Sequence, residues 1–161
     1  MNVAKRTVSV IGSSSATPQE IAWAEEVGRL LARSGIVLVS GGMGGIMEAA
    51  CRAAKSAGGL TVGILPSADR DAGNSFLDVV IPTGMGYARN VIVAYSGQVV
   101  IAIGGSSGTL SEIAYASIRN IPVVSLGSWT LDERKLSHGM RLISCKTPAE
   151  AVKKTLELLG D

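Results

Sequence analysis

Two glycine-rich turns hold the residues of this chain best suited to chemistry. One reads Gly41-Gly42-Met43-Gly44-Gly45, with Glu48 close behind it. The other reads Gly104-Gly105-Ser106-Ser107-Gly108-Thr109, with Glu112 one turn further on. Each falls between an apolar run and the start of a helical pattern. Glycine lets the backbone approach a ligand closely, and a helix N-terminus offers unpaired N–H groups with a partial positive charge. Together they suit an anion such as phosphate, to which Ser106, Ser107 and Thr109 can add hydroxyl donors. Arg89 follows a third glycine pair, Gly84-Met85-Gly86. If the strands before Arg89 and Glu112 are parallel neighbours, both side chains emerge at one edge of the sheet.

Other chemistries find less support. The first turn lacks the GxGxxG spacing of dinucleotide-binding folds, and no GxxxxGK[ST] occurs, which disfavours nicotinamide redox chemistry and P-loop ATP hydrolysis. Ser106 and Ser107 sit in no GxSxG elbow, and the one histidine, His138, lies in a polar segment away from them. Cys51 and Cys145 stand far apart without a CxxC pairing, so no metal site is expected and both read as small buried hydrophobes. Glu48 reads equally well as a carboxylate favouring its own helix N-terminus.

The elements that must position these residues follow from the hydrophobic pattern. Apolar runs at residues 7–11, 36–40, 60–65, 79–81, 99–103, 122–126 and 141–144 alternate with helical patterns. That alternation signals βα units and a parallel sheet, a doubly wound α/β domain in which ligands lie beyond the carboxyl ends of the strands. Residues 99–103 are the most continuously apolar and read as a central strand. Thr17-Pro18-Gln19-Glu20 and Thr147-Pro148-Ala149-Glu150 are capping boxes that start the first and last helices. The pattern predicts a helix from Gly84-Met85-Gly86 to about Ser96, a loop over 67–74, and a helix from near Gly108 to about Asn120. No linker, repeat or low-complexity segment divides the 161 residues, so one Rossmann-like domain is expected.

Composition narrows the partners. Charged residues make up only 17% against 47% hydrophobic, which excludes disorder and favours strands buried on both faces. Aromatics at 4% leave few platforms for stacking single-stranded nucleic acid, and a net charge of +2 is too balanced for nucleic acid or an anionic membrane. The first apolar run is too short for a signal peptide, and no stretch approaches the roughly 20 apolar residues of a membrane span. A cytoplasmic protein with free thiols is expected.

Three ordered motifs then carry a resemblance over essentially the whole chain. They are residues 41–48 (GGMGGIME), Thr83-Gly84 with Ala88-Arg89-Asn90, and residues 104–112 (GGSSGTLSE). Together they resemble the superfamily once labelled lysine-decarboxylase-like, whose members include the LOG-type cytokinin-activating phosphoribohydrolases and the molybdenum cofactor carrier proteins. Length and the ARN and GTLSE wording are most similar to the carrier branch. No lysine stands in a Schiff-base context, so the decarboxylase label finds no support.

The resemblance implies a ligand-binding set of Gly12, Ser13, Gly41, Gly42, Gly44, Gly45, Thr83, Arg89, Asn90, Gly104, Gly105, Ser106, Ser107, Gly108, Thr109 and Glu112. On the carrier side it implies binding of molybdopterin, a phosphorylated pterin, with no covalent cofactor and no turnover. On the hydrolase side Arg89 and Glu112 become catalytic, cleaving the N-glycosidic bond of a nucleoside 5′-monophosphate through an oxocarbenium-like transition state. Three departures weigh against the hydrolase: Gly104 where Pro is usual, Ser106 where Gly is usual, and Asn90 where Lys is usual. The resemblance also implies a homodimer or larger homo-oligomer, with Leu110, Ile113, Ala114 and Ile118 as the associating face.

Overall fold

A computed structural model describes residues 4–136 and 139–160 of the chain. Its seven strands are β1 (Thr7–Gly12), β2 (Val37–Ser40), β3 (Thr61–Leu65), β4 (Val79–Pro82), β5 (Val99–Ile103), β6 (Val123–Leu126) and β7 (Leu142–Cys145). They form one sheet in the order β4-β3-β2-β1-β5-β6-β7, and every neighbouring pair is parallel. The domain is thus Rossmann-like, as its alternating pattern predicts. β1 takes the middle of the sheet and β5 lies directly beside it.

The five helices are α1 (Pro18–Arg33), α2 (Ile46–Ser56), α3 (Asn90–Ser96), α4 (Ser107–Ile118) and α5 (Pro148–Leu159). Helices α1, α2 and α5 cover one face of the sheet, burying Val27, Leu31, Ala50, Cys51 and Val152 against Val8, Val10 and Ile101. Helices α3 and α4 cover the other, where Val93, Ile113 and Ala116 meet Ile11, Val39 and Val100. Both faces of the central strands are dry, which is why β5 is wholly buried and why its sequence does not alternate. None of the described helices is long and apolar enough to cross a membrane.

The chain runs to one side of β1 through β2, β3 and β4, then returns to its other side at β5. That reversal opens a crevice between β1 and β5 at the carboxyl edge. Register sets its floor: Gly12 pairs with Ile103, so the turns after β1 and β5 leave the sheet at one level.

Four details depart from the sequence reading. The helix expected from Gly84-Met85-Gly86 is a 3₁₀ turn, Gly86–Arg89, followed by the seven-residue α3. Gly84 and Gly86 both have positive φ, which a right-handed helix cannot hold, and the Thr83 hydroxyl bonds the Leu65 carbonyl instead. The capping box of α1 is complete, but at α5 only half forms: Glu150 N–H donates to Thr147 Oγ1, while Glu150 Oε2 accepts from Lys146 N–H. Within α4, Ile113 is fully buried in the core, so the expected association face shrinks to Ile118, Ala114 and half-buried Leu110. The 67–74 segment contains a 3₁₀ turn and folds back, Asn74 N–H donating to Gly42 O at 2.8 Å. His138 lies outside the described residues.

Candidate functional site

A cleft of about 670 Å³ occupies the crevice. Its walls come from the end of β1 and the turn after it, the loops after β2, β3 and β5, the N-terminal turns of α2 and α4, and the 3₁₀ turn before α3. Of the expected ligand-binding residues, Gly12, Ser13, Gly44, Arg89, Asn90, Ser106, Ser107, Gly108, Thr109 and Glu112 line it. Gly41, Gly42, Gly45, Thr83, Gly104 and Gly105 are not part of that lining. Gly41 shows what such a position does. A Cβ there would stand 2.6 Å from Arg89 Nη2 and 2.8 Å from Met47 Sδ, so its bare Cα leaves the path the arginine takes. Thr83 accepts from Met85 N–H at 3.2 Å and shapes the turn that carries Arg89. Glu48 faces Arg52 at 3.7 Å rather than the cleft.

Among the described residues Arg89 is the one cation on the walls, and it is only 8% exposed. Its Nη1 donates to Asn90 Oδ1, its Nη2 donates to Gly41 O at 3.3 Å, and its Nε has no partner. Burial lowers its pKa, against the opposing pull of Glu112. A buried N–H donor without an acceptor is costly, and this one is left unpaired within the protein.

Glu112 is 6% exposed, and burial pushes its carboxyl up to about 8, Arg89 pulling only partly the other way. Burial thus favours the neutral form of this acid in the folded protein.

The phosphate-type wall is the first turn of α4. Leu110 N–H reaches back to Ser106 O at 3.0 Å and the Ser106 side chain takes the Thr109 N–H in a capping box, leaving the N–H groups of Ser107 and Gly108 at the helix end. Ser106 N–H donates to Thr109 Oγ1 at 3.4 Å, which steadies the turn. Trp129 Nε1–H donates to Ser106 O at 3.1 Å, bracing it from the segment after β6. The first turn of α2 has no side-chain cap, whereas α1 and α5 are capped by threonines.

Sequence reasoning did not single out Ser14, Met43, Met47, Pro66, Gly86 or Tyr87 as lining residues. Met43 and Met47 carry an apolar signal that a core assignment explains equally well. Tyr87, 85% exposed beside Arg89, could have been flagged, since a large aromatic between Gly86 and an arginine has no core to fill. Cys51 is an ordinary buried thiol, its pKa raised by burial, 3.5 Å from Ser40 Oγ. Among the described residues no group of three or more His, Cys, Asp or Glu side chains is placed to hold a metal.

A parallel Rossmann-like sheet with its cleft at the strand reversal, one buried arginine and an open helix terminus defines a class of small α/β domains. Within that class the SLOG cluster4 family model matches residues 5–152, and the chain belongs to that family. A protein of Archaeoglobus fulgidus is 44% identical over 90% of this chain and 91% of its own length. A cytokinin riboside 5′-monophosphate phosphoribohydrolase of Mycobacterium tuberculosis is 33% identical over 76% of this chain and 71% of its own. Among solved structures, the molybdenum cofactor binding protein of Rippkaea orientalis superposes with a TM-score of 0.89 at 36% identity, covering 98% of this chain and 99% of that one. The Moco carrier protein of Chlamydomonas reinhardtii gives 0.87 at 34% identity, over 97% and 98%.

Proposed function

We propose that this protein is a binding or carrier protein for the molybdenum cofactor or a closely related phosphorylated pterin. The observation that carries the reading is one cleft lined by two kinds of group. The α4 terminus and Arg89 suit a phosphate, and Met43, Met47, Pro66 and Tyr87 suit a flat heterocycle. Likeness to the Rippkaea and Chlamydomonas proteins supports this ligand class. The ligand is held by backbone donors and one cation, without covalent attachment.

A second reading, hydrolysis of nucleoside 5′-monophosphates, is favoured by one observation: Arg89 and Glu112 face a single cleft, as that chemistry requires. The mycobacterial relative adds weight. Against it, a carboxyl whose ionised form is disfavoured by burial is a poorer source of negative charge for an oxocarbenium-like transition state. Incubation with a panel of nucleoside monophosphates, followed by chromatography of free base, separates the two. We expect no base release, together with saturable binding of the pterin; adenine formed from AMP would reverse the assignment.

Assembly belongs to the same proposal. Ile92 of α3 and Ile118 of α4 leave large apolar side chains exposed on the α3–α4 side of the sheet. We expect at least a homodimer through this face, the commonest arrangement for such domains. Light scattering that returns a 16.5 kDa particle at micromolar concentration would end that expectation.

A further inference from the structure

We propose that Asn90 is a positioning residue: it fixes the Arg89 guanidinium relative to the first turn of α4, so that cation and helix terminus meet one anionic group together. The proposal rests on the phosphate-binding reading of the cleft, but it also makes a claim that needs no ligand.

Asn90 is 2% exposed, and both ends of its amide are engaged. Oδ1 accepts from Arg89 Nη1, and Nδ2 donates to Ser111 Oγ at 3.0 Å. Ser111 Oγ in turn donates to Gly108 O at 2.7 Å, inside the turn that offers its N–H groups to the cleft. The chain of bonds runs in one direction only. A guanidinium has donors and no acceptor, and a carbonyl only accepts, so a flipped amide would set donor against donor. Leucine, alanine or lysine at this position could not accept from Arg89.

The second anchor, Gly41 O, lies at the end of β2. The guanidinium is thus strung between the α4 turn and β2, with Nε left over. Two other titratable groups face it, Tyr87 from its own turn and Glu112 from α4. Glu112 is the competitor that matters. Released from Asn90, the guanidinium could swing onto this buried carboxyl and form an ion pair, leaving less charge for a ligand. Burial favours the neutral form of that carboxyl, and Arg89 at its present position offsets this only in part.

The test uses the full-length protein, with Asn90→Ala and the milder Ser111→Ala, which cuts the tether one bond further away. Two quantities are read: inorganic phosphate affinity by calorimetry, and the Glu112 titration midpoint by NMR of its side-chain carboxyl without ligand. Asn90→Ala should weaken phosphate binding about tenfold, the loss of one well-aimed charge-assisted contact. It should also lower the Glu112 midpoint by about one pH unit or more, because a nearby cation favours the ionised form. Ser111→Ala should move both in the same direction by less, and it carries the test if Asn90→Ala does not fold. An unchanged Glu112 midpoint in the folded variants overturns the proposal, as does wild-type phosphate affinity in both. Should the wild type itself fail to bind phosphate, the phosphate reading falls, and the midpoint alone still decides the role of Asn90.

Discussion

Glu112→Gln is expected to stabilise the protein at pH 9 and to change it little below pH 4.5. The carboxyl ionises near its ordinary value of 4.5 in the unfolded chain but only at about 8 in the folded one. Between those values the native state holds a proton that the unfolded state has released. Unfolding therefore gives up a proton, and stability falls as pH rises through that window, then levels off above about 8. The full loss is on the order of 3–5 kcal/mol, at about 1.4 kcal/mol for each pH unit separating the two ionisation midpoints. Glutamine has nearly the shape of the neutral acid and nothing to ionise, so the variant escapes the loss. Urea denaturation of both proteins at several pH values reads the gap. Parallel curves from pH 5 to pH 9 would show that Glu112 titrates normally. The same variant bears on function. If the protein is a carrier, Glu112→Gln should retain pterin binding near neutral pH, since it mimics the form that burial favours. If it is a hydrolase, base release should be present in the wild type and fall on the order of a hundredfold or more in the variant.

Gly45→Val should be the most damaging single change among the glycine turns. Gly45 is the N-cap of α2 with φ of +61°, a conformation β-branched residues rarely adopt. A Cβ there would also press on the Ser13 carbonyl oxygen and lie 2.6 Å from the Ser14 carbonyl carbon and oxygen. These are backbone atoms of the turn after β1, tied to α2 by the bond from Ile46 N–H to Ser13 O at 3.1 Å. They cannot yield without opening the seam that brings the β1 and β2 turns to one cleft. Strain and overlap together predict a loss of about 3 kcal/mol or more. Gly44→Ala is the matched control, because an added Cβ there meets only Glu48 Oε2 at 3.9 Å and φ is not positive. Chemical denaturation should separate the two clearly; equal stabilities would refute the account of this seam.

The parallel α/β architecture, the capped starts of α1 and α5 and the glycine turns were legible in the sequence because each depends on neighbours along the chain. Period, capping residues and turn glycines are local signals, and β5 declares its double burial through an unbroken apolar run. Arg89 and Glu112 could be named and their edge of the sheet foreseen, but the strands before them are not the neighbours the sequence reading supposed: β4 and β5 lie four positions apart, on opposite sides of β1. Which residues form the cleft wall and which do not was decided by tertiary structure. Met43 and Met47 join the lining, whereas Gly41 becomes the passage for Arg89, because strands 1, 2 and 5 converge from distant parts of the chain. The charge state of Glu112 is likewise a property of the fold. No stretch of sequence around it announces a raised pKa; burial against the sheet creates it by removing the water that would solvate the carboxylate. The direction of the Asn90 amide has the same origin, since its partners Arg89, Ser111 and Gly108 meet only once α4 docks beside α3.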